Sequence, residues 1–236
     1  MQVKILFDSF SLGEHFLTGW GVAYLVDGKI LFDTGEKGWS LFNNLEFMEV
    51  KLSKIEKVVI SHDHWDHTGG LEDILEERSG LKVYVCRSFS KKFKTTVKSY
   101  GGKLADIKQF TKLNENIYST GEIIGSYGGQ PIAEQLLTLK TSKGLTILTG
   151  CAHPGIIKII ETVKANISDH IYLVLGEFHL IDKDKREVKL IVEKLKEIGV
   201  EKVGPTHCTG YEAIEIFKAE YGNNFVGVKV GQTIEV

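Results

Sequence analysis

The chain has 236 residues, a formal net charge of −2 and a pI near 6.5. A chain of this length forms one large α/β domain or two small ones, and it buries enough surface to fold without disulfides. The charge leaves no basic excess to neutralise phosphates, so a nucleic-acid partner is not expected. The 3 cysteines cannot form a disulfide framework, and the odd count suits a reducing compartment.

The N-terminal segment, residues 1–14, has one short apolar stretch followed by acidic residues. It lacks the basic start, apolar centre and small-residue cleavage site of a signal peptide. No apolar run in the chain approaches the roughly 20 residues that a membrane span needs. The sequence therefore predicts a cytoplasmic protein without a membrane partner.

The first third of the chain has the pattern of an antiparallel sheet. Residues 3–7 are a predicted strand, and Asp27-Gly28 is a two-residue turn signal between the apolar runs 22–26 and 29–32. This predicts a hairpin that ends in the sequence DTG. Farther along the chain, the pattern predicts strands over 58–60 and 81–86 and helices over 38–48, 53–56, 70–79 and 91–101.

The second half contains apolar strands that end in loops with glycine and histidine. Strands are predicted over 135–140, 145–149 and 171–176, and an apolar helix runs to about residue 164. The spacing of apolar residues over 184–199 predicts an amphipathic helix that ends at Gly199. No low-complexity linker divides the chain, so we expect a single domain over residues 1–236.

The sharpest chemical signal is the motif H-x-H-x-D-H over residues 62–67, directly after the predicted strand 58–60. His62 and His64 occupy alternate positions and can direct two imidazoles to one side, while Asp66 and His67 follow a turn later. Imidazole and carboxylate ligands suit Zn²⁺, Fe²⁺ and Mn²⁺. The alternative is a solvated loop of polar residues, but the strand, the spacing and the glycines that follow favour a metal site.

The segment SHDHWDHTGG resembles the signature of the metallo-β-lactamase superfamily. The opening hairpin that ends in DTG and the histidines after later strands agree with that layout. The resemblance implies an α/β (α+β) fold, a four-layer αββα sandwich of the metallo-β-lactamase type. It also implies one or two divalent metal ions, with zinc expected first and iron or manganese as alternatives.

The same resemblance assigns metal ligands by position. His62 and His64 match the pair that binds the first metal, and Asp66 and His67 match the pair that binds the second. His207, late in the chain, matches the last histidine of the second site. Asp66 is also the expected catalytic residue, because it would hold the second metal and orient the attacking group.

Other candidate residues depart from the family pattern or have two interpretations. Cys151 stands where relatives have a bridging aspartate, and it is either a ligand or a small buried residue. His153 is the later histidine left to complete the first site. Asp33 either orients a metal-bound histidine or caps its own turn. His179 is a candidate catalytic and substrate-binding residue, and Trp20 is a candidate substrate-binding residue that is otherwise a packing residue.

The phrases LTGCAHPGI, GEFHL, PTHCTG and GWG are similar to a subgroup of 7,8-dihydropterin-6-yl-methyl-4-(β-D-ribofuranosyl)aminobenzene-5′-phosphate synthases. This similarity implies a transferase with a small-molecule substrate that is phosphorylated or pterin-like. Two other hypotheses stay open: a metal-dependent hydrolase of a lactone, thioester or phosphodiester, and a non-catalytic metal-binding protein. The sequence does not indicate an oligomeric state.

Overall fold

The computed structural model describes all 236 residues. The chain divides into two compact units: residues 1–108 together with 229–236, and residues 109–228. The expectation of a single domain over residues 1–236 stays a prediction. Among the helices, none combines the length and apolar character required of a membrane span.

The structure contains strands and helices along its whole length. In chain order the strands are β1 (Gln2–Phe7), β2 (Ala23–Val26), β3 (Ile30–Phe32), β4 (Lys57–Val59), β5 (Lys82–Cys86), β6 (Lys103–Ile107), β7 (Thr111–Asn114), β8 (Ile117–Ser119), β9 (Ile123–Tyr127), β10 (Gln130–Glu134), β11 (Leu137–Thr141), β12 (Gly144–Thr149), β13 (Ile171–Glu177), β14 (Val200–Thr206) and β15 (Thr233–Glu235). The α-helices are α1 (Gly38–Phe47), α2 (Trp65–Thr68), α3 (Leu71–Glu77), α4 (Lys91–Ser99), α5 (Ile156–Asn166), α6 (Lys185–Ile198) and α7 (Tyr211–Tyr221).

The first unit is built on a 7-stranded mixed sheet with the order β15-β1-β2-β3-β4-β5-β6. The predicted hairpin is confirmed: β2 and β3 pair antiparallel, and Asp27 and Gly28 have φ values of 48° and 68°. From β3 onward the neighbouring strands run parallel. The carboxyl ends of β3 and β4 therefore meet at one edge, where the DTG segment and the histidine motif begin.

The second unit is built on a 6-stranded sheet with the order β14-β13-β12-β11-β8-β7. The strands β12, β13 and β14 run parallel to one another. Apolar residues of α5, α6 and α7 join those of β12–β14 in one buried core cluster. The predicted amphipathic helix is confirmed as α6, which begins with a capping box at Asp184 and ends at Gly199 in the left-handed conformation.

Most predicted elements are present within a few residues of their expected bounds. The predicted helix over 53–56 is wrong: the structure has one 3₁₀ turn, Leu52–Lys54, and Ile55 is already extended on the way into β4. Ile55 is fully buried in this extended conformation, so the turn ends before an α-helix can form. The strand predicted from residue 135 begins at Leu137, because Glu134 ends β10. The sequence did not predict α2, β6–β10, α7 or β15.

Candidate metal centre

The histidine motif begins just after β4, where the buried residues Val59 and Ile60 fix the backbone. Helix α2 makes a single turn, and Thr68 donates through both its N–H and its hydroxyl to the carbonyl oxygen of His64, at 3.2 and 2.9 Å. The side chain of His67 is fully buried, whereas His64 and Asp66 are half-buried. The strand end and the turn together hold the motif in one conformation.

The buried carboxylate of Asp33 organises this loop. Its Oδ1 accepts the backbone N–H of Ser61 at 2.7 Å, and its Oδ2 accepts the Ser61 hydroxyl at 2.6 Å. The same Oδ2 lies 2.7 Å from Nδ1 of His67. A carboxylate at Nδ1 fixes the ring so that Nε2 faces away from it, the usual arrangement of a metal-bound histidine. The contacts favour the interpretation that Asp33 orients His67, because the carboxylate reaches beyond its own turn.

His62 and His64 face each other through ring nitrogens. Nδ1 of His62 lies 2.9 Å from the Ser61 hydroxyl, and its Nε2 lies 3.1 Å from Nδ1 of His64. Two imidazole nitrogens on one tetrahedral zinc ion, each about 2.0–2.1 Å from the metal, lie about 3.3 Å apart. The pair therefore fits a shared divalent ion, and the donor set of the first unit matches the chemistry expected of one.

Glycines of the neighbouring loops pack against the motif. A Cβ on Gly21, which has a φ of +76°, would overlap the backbone carbonyl of Asp66, and a Cβ on Gly69 would overlap that of Glu36. The DTG segment adds a hydrogen bond of 2.9 Å from the Thr34 N–H to the carbonyl of His67. Trp20, beside Gly21, is 54% exposed. Its role in substrate binding stays a prediction.

The second unit gathers three more polar side chains at the ends of its parallel strands. Thr149 of β12 pairs with Gly176 of β13, and Glu177 of β13 pairs with Thr206 of β14. This register brings Cys151, Glu177 and Cys208 to one edge of the sheet, and all three are buried. The thiol of Cys151 donates to Oε2 of Glu177 at 3.3 Å, and the two Sγ atoms lie 3.6 Å apart.

His153 is held in the loop after β12 and is only 9% exposed. The carboxylate of Glu134 accepts the backbone N–H groups of Ala152 and His153, both at 2.8 Å. Gly125 of β9 lies against the backbone of His153, with no room for a Cβ. The rings of His153 and His179 are 4.5 Å apart, and ligand atoms of these two histidines and Cys151 all lie within 4.8 Å of one another.

The pKa values of the two thiols are shifted in opposite directions by their surroundings. The hydrogen bond with Cys208, followed by burial, raises the pKa of Cys151 well above its ordinary value. Burial alone would raise the pKa of Cys208, but hydrogen bonds with Cys151 and His179 outweigh it and hold this pKa well below its ordinary value. The hydrogen bond with Cys208 also raises the pKa of His179.

Three non-glycine residues in these loops have left-handed backbone conformations. The φ values are 62° for Ala152, 48° for His179 and 44° for His207. Such conformations cost on the order of 1–3 kcal/mol each and persist where the surrounding structure enforces them. His207 begins the 3₁₀ turn His207–Thr209 directly after β14. These strained residues lie just after the three strands β12, β13 and β14, in the loops that carry the polar side chains.

A cavity of about 500 Å³ opens beside His153 and His179 in the second unit. Its walls combine apolar and cationic side chains, which include Phe178, Ile191, Lys158 and Lys183. The side chain of Tyr127 is 52% exposed, and its ring centre lies 5.3 Å from that of His153 and 6.0 Å from that of His179. Aromatic, apolar and cationic side chains therefore lie close to this cavity.

Most of the candidate residues lie close to other candidate residues of the same unit. In the first unit His62, His64 and His67 cluster around Asp33 and Ser61. In the second unit Cys151, His153 and His179 form one cluster.

Two further residues of the second cluster, Glu177 and Cys208, were not selected as ligands from the sequence. The detectable signal for Glu177 was its position directly after the predicted strand 171–176, since strand ends commonly carry sites. Cys208 directly follows His207, which the family resemblance had already indicated.

Comparison with known proteins agrees with these observations. Residues 21–107 match the sequence profile of the metallo-β-lactamase superfamily. The chain is 28% identical to a 7,8-dihydropterin-6-methyl-4-(β-D-ribofuranosyl)-aminobenzene-5′-phosphate synthase of Methanocaldococcus jannaschii, over 88% of this chain and 84% of that protein. It is 29% identical to an uncharacterized protein of the same organism, with 100% of both chains covered.

The fold has a close counterpart among solved structures. The crystal structure of a metal-dependent hydrolase of the β-lactamase superfamily superposes with a TM-score of 0.84 and 29% identity, over 100% of this chain and 99% of that one. The mixed sheets with flanking helices and this similarity confirm the fold class expected from the sequence.

Proposed function

We propose that the chain is a metal-dependent transferase of the metallo-β-lactamase superfamily, whose sequence profile matches residues 21–107. Its reaction would condense a dihydropterin with a ribosylaminobenzene phosphate. The observation that supports this choice best is the similarity to the synthase over most of both chains. The phrases that suggested this subgroup from the sequence include those around Cys151, His179 and His207, the strand-end loops described above.

The metal ligands in this proposal are His62, His64, Asp66 and His67, with His153 and His207 added as the family resemblance implies. Support comes from the paired ring nitrogens of His62 and His64 and from the Asp33 carboxylate behind His67. When bound, a divalent ion supplies Lewis-acid polarisation of a substrate oxygen. Zinc is the ion that we expect, because the ligands are imidazoles and a carboxylate.

The chain's own residues bind and orient the two substrates in this proposal. The exposed ring of Tyr127 and the apolar side chain of Ile191 suit a flat pterin, and Lys158 and Lys183 suit a phosphate group. The aminobenzene nitrogen would attack the methylene carbon of the pterin as the bond from that carbon to the diphosphate oxygen breaks; the diphosphate leaves, and the nitrogen loses its extra proton to solvent. His179 is placed to donate a proton, since its Nδ1 is buried and has no hydrogen-bond partner within the protein.

A direct assay tests the reaction. Purified full-length protein, supplied with zinc, is incubated with the dihydropterin diphosphate and the ribosylaminobenzene phosphate, and the joined product is detected by mass spectrometry. We expect product with the wild type and with His170→Ala, a control at an exposed histidine outside both clusters. His62→Ala should abolish it. Absence of product from the wild type, together with turnover of an ester, would contradict the transferase proposal.

A second candidate is hydrolysis of a lactone, thioester or phosphodiester. The intact H-x-H-x-D-H motif and the similarity to a metal-dependent hydrolase favour it. The same incubation with one substrate of each class distinguishes the two reactions. Turnover of one of them at a rate above that of the pterin pair would favour the hydrolase. No turnover with any substrate would contradict both enzyme proposals and favour a non-catalytic metal-binding protein.

A further inference from the structure

The hairpin β9–β10 is a separate element of the second unit. It forms a 2-stranded sheet of its own, and it turns at Gly128-Gly129. Residues 126–131 are exposed, and a Cβ on either turn glycine would meet no other atom within 4 Å. A two-stranded hairpin by itself is marginally stable at best. Few contacts therefore hold the outer part of this hairpin in one position.

The base of the hairpin, in contrast, is fixed to the elements beside it. A Cβ on Gly125 would overlap the backbone of His153. Glu134, at the end of β10, accepts the N–H of His153 at 2.8 Å. On β9, the carbonyl oxygen of Ile124 accepts a hydrogen bond of 2.9 Å from Nζ of Lys158. An element with a fixed base and a weakly supported tip can bend toward the cavity beside it.

The tip carries the aromatic side chain of Tyr127 at the side of the cavity of about 500 Å³. The ring centre of Tyr127 lies 5.3 Å from that of His153 and 6.0 Å from that of His179, and both histidines line the cavity. A ring that is 52% exposed gains free energy when a flat apolar surface covers it, because the contact removes apolar area from water. Tyrosine has only two side-chain torsions, so this contact costs little conformational entropy.

The cavity itself offers contacts to the other parts of such a ligand. Ile191 contributes an apolar side chain, and Lys158 and Lys183 contribute cationic groups. Since Lys158 also binds β9, an anionic group at its ammonium would lie beside the fixed base of the hairpin. A ligand that joins a flat ring to an anionic group could thus contact Lys158 and Tyr127 together.

We propose that the hairpin β9–β10 is a flap on the cavity of the second unit, and that Tyr127 selects ligands with a flat aromatic ring by stacking on that ring as the tip closes. The inference rests on the proposed function only for the choice of a pterin as the ring. Because the contact is made by the aromatic ring, Tyr127→Phe should keep the selection. Tyr127→Leu, which replaces the ring with an aliphatic side chain, should lose it.

A binding titration tests the role of Tyr127. The probe is 6-hydroxymethylpterin, a fluorescent pterin, titrated into the zinc-supplied full-length protein and followed by fluorescence anisotropy. We expect Tyr127→Leu to weaken binding by roughly two- to tenfold, the usual contribution of an aromatic pair, and Tyr127→Phe to bind like the wild type. Tyr211→Leu, at a tyrosine that is 74% exposed and outside the cavity lining, is the matched control and should also bind like the wild type.

A second ligand separates ring selection from a structural effect. Ribose 5-phosphate has an anionic group but no aromatic ring, and calorimetric titration measures its affinity. We expect the wild type and Tyr127→Leu to bind it equally. Equal loss of affinity for the pterin and for ribose 5-phosphate would mean that the substitution disturbs the whole cavity, and it would overturn ring selection by Tyr127.

Hydrogen exchange tests the closing of the flap. Saturating 6-hydroxymethylpterin should slow amide exchange in residues 126–130. Exchange at Asp27-Gly28, the turn of the matched hairpin β2–β3 in the first unit, should not change. Unchanged exchange in residues 126–130 would overturn the flap, and equal pterin affinity of the wild type and Tyr127→Leu would overturn selection by Tyr127.

The outcomes distinguish this inference from the transferase proposal. Pterin binding that depends on Tyr127, without the joined product in the direct assay, would contradict the transferase and leave the flap intact. Formation of the joined product, with pterin affinity that does not depend on Tyr127, would do the reverse. Absence of pterin binding by the wild type would overturn the inference as a whole.

Discussion

Oδ2 of Asp33 lies 2.7 Å from Nδ1 of His67, although the two residues are 34 positions apart in the chain. Both side chains are fully buried. The contact joins the hairpin of the first unit to its histidine motif, and it determines which ring nitrogen of His67 is presented to a ligand.

We expect Asp33→Asn to weaken metal binding by roughly 10–100-fold, the usual effect of losing a carboxylate behind a metal-bound histidine. The amide removes the negative charge that stabilises the Nδ1–H form of His67. A competition titration with a chromophoric chelator measures the affinity. Asp27→Asn is the control, because Asp27 binds only the backbone N–H of Gln2 at an exposed turn. Equal affinities for the two variants would show that Asp33 has no part in metal binding.

The second prediction concerns the close approach of Gly21 to Asp66. Gly21→Ala and Gly28→Ala both place alanine at a positive φ, +76° and +68°, but only at Gly21 would the Cβ overlap another residue. Backbone strain should lower the free energy of unfolding of each variant by on the order of 1 kcal/mol. The Gly21→Ala variant should lose clearly more stability than this, and it should also bind metal less tightly. Urea unfolding and the chelator titration measure both effects. Similar losses in the two variants would contradict the packing described here.

The histidine motif could be predicted from the sequence because its ligands are local and follow an apolar strand. Asp33 had two interpretations there, since only the parallel pairing of β3 and β4 brings it beside Ser61. Cys208 was missed for a similar reason: its partner Cys151 is 57 positions away. Contacts between distant strand ends depend on sheet order, which local patterns do not specify.

Some secondary structure was missed although a local signal was present. The hairpin of β9 and β10 turns at Gly128-Gly129, both at positive φ, which is a typical two-residue hairpin turn. Its strands are half exposed and carry polar residues, so they lack the continuous apolar runs that identified β2 and β3. Helix α7 was missed because its apolar residues are interrupted by glutamates and lysine rather than confined to one stripe.

The third prediction concerns the start of α6. Oδ1 of Asp184 accepts the backbone N–H groups of Arg186 and Glu187, both at 2.8 Å. Asp184→Ala should lower the free energy of unfolding by about 1 kcal/mol, because two N–H groups lose their acceptor. Asp182→Ala, at an exposed position before the helix, should have little effect. Equal stability of the Asp184→Ala variant and the wild type in urea would contradict this role.

The fourth prediction is a pH dependence that arises from Tyr221. Burial raises the pKa of this tyrosine to about 12, whereas the ordinary value in an unfolded chain is about 10. Between these values the unfolded state loses the proton and the folded state keeps it, so stability falls as pH rises. Tyr221→Phe should remove this contribution, and it leaves no buried hydroxyl without a partner. Urea unfolding of the wild type and of Tyr221→Phe at about pH 9 and about pH 11 gives the difference between their free energies of unfolding. A difference that is the same at both pH values would contradict this prediction.

The central claim is that His62 and His64 share a divalent ion. Anomalous diffraction at the zinc edge, from crystals of the full-length protein grown with zinc, tests it most directly. We predict a peak about 2.0–2.1 Å from Nε2 of His62 and from Nδ1 of His64. A map without a peak at these two atoms, while their rings keep the 3.1 Å contact seen here, would contradict it.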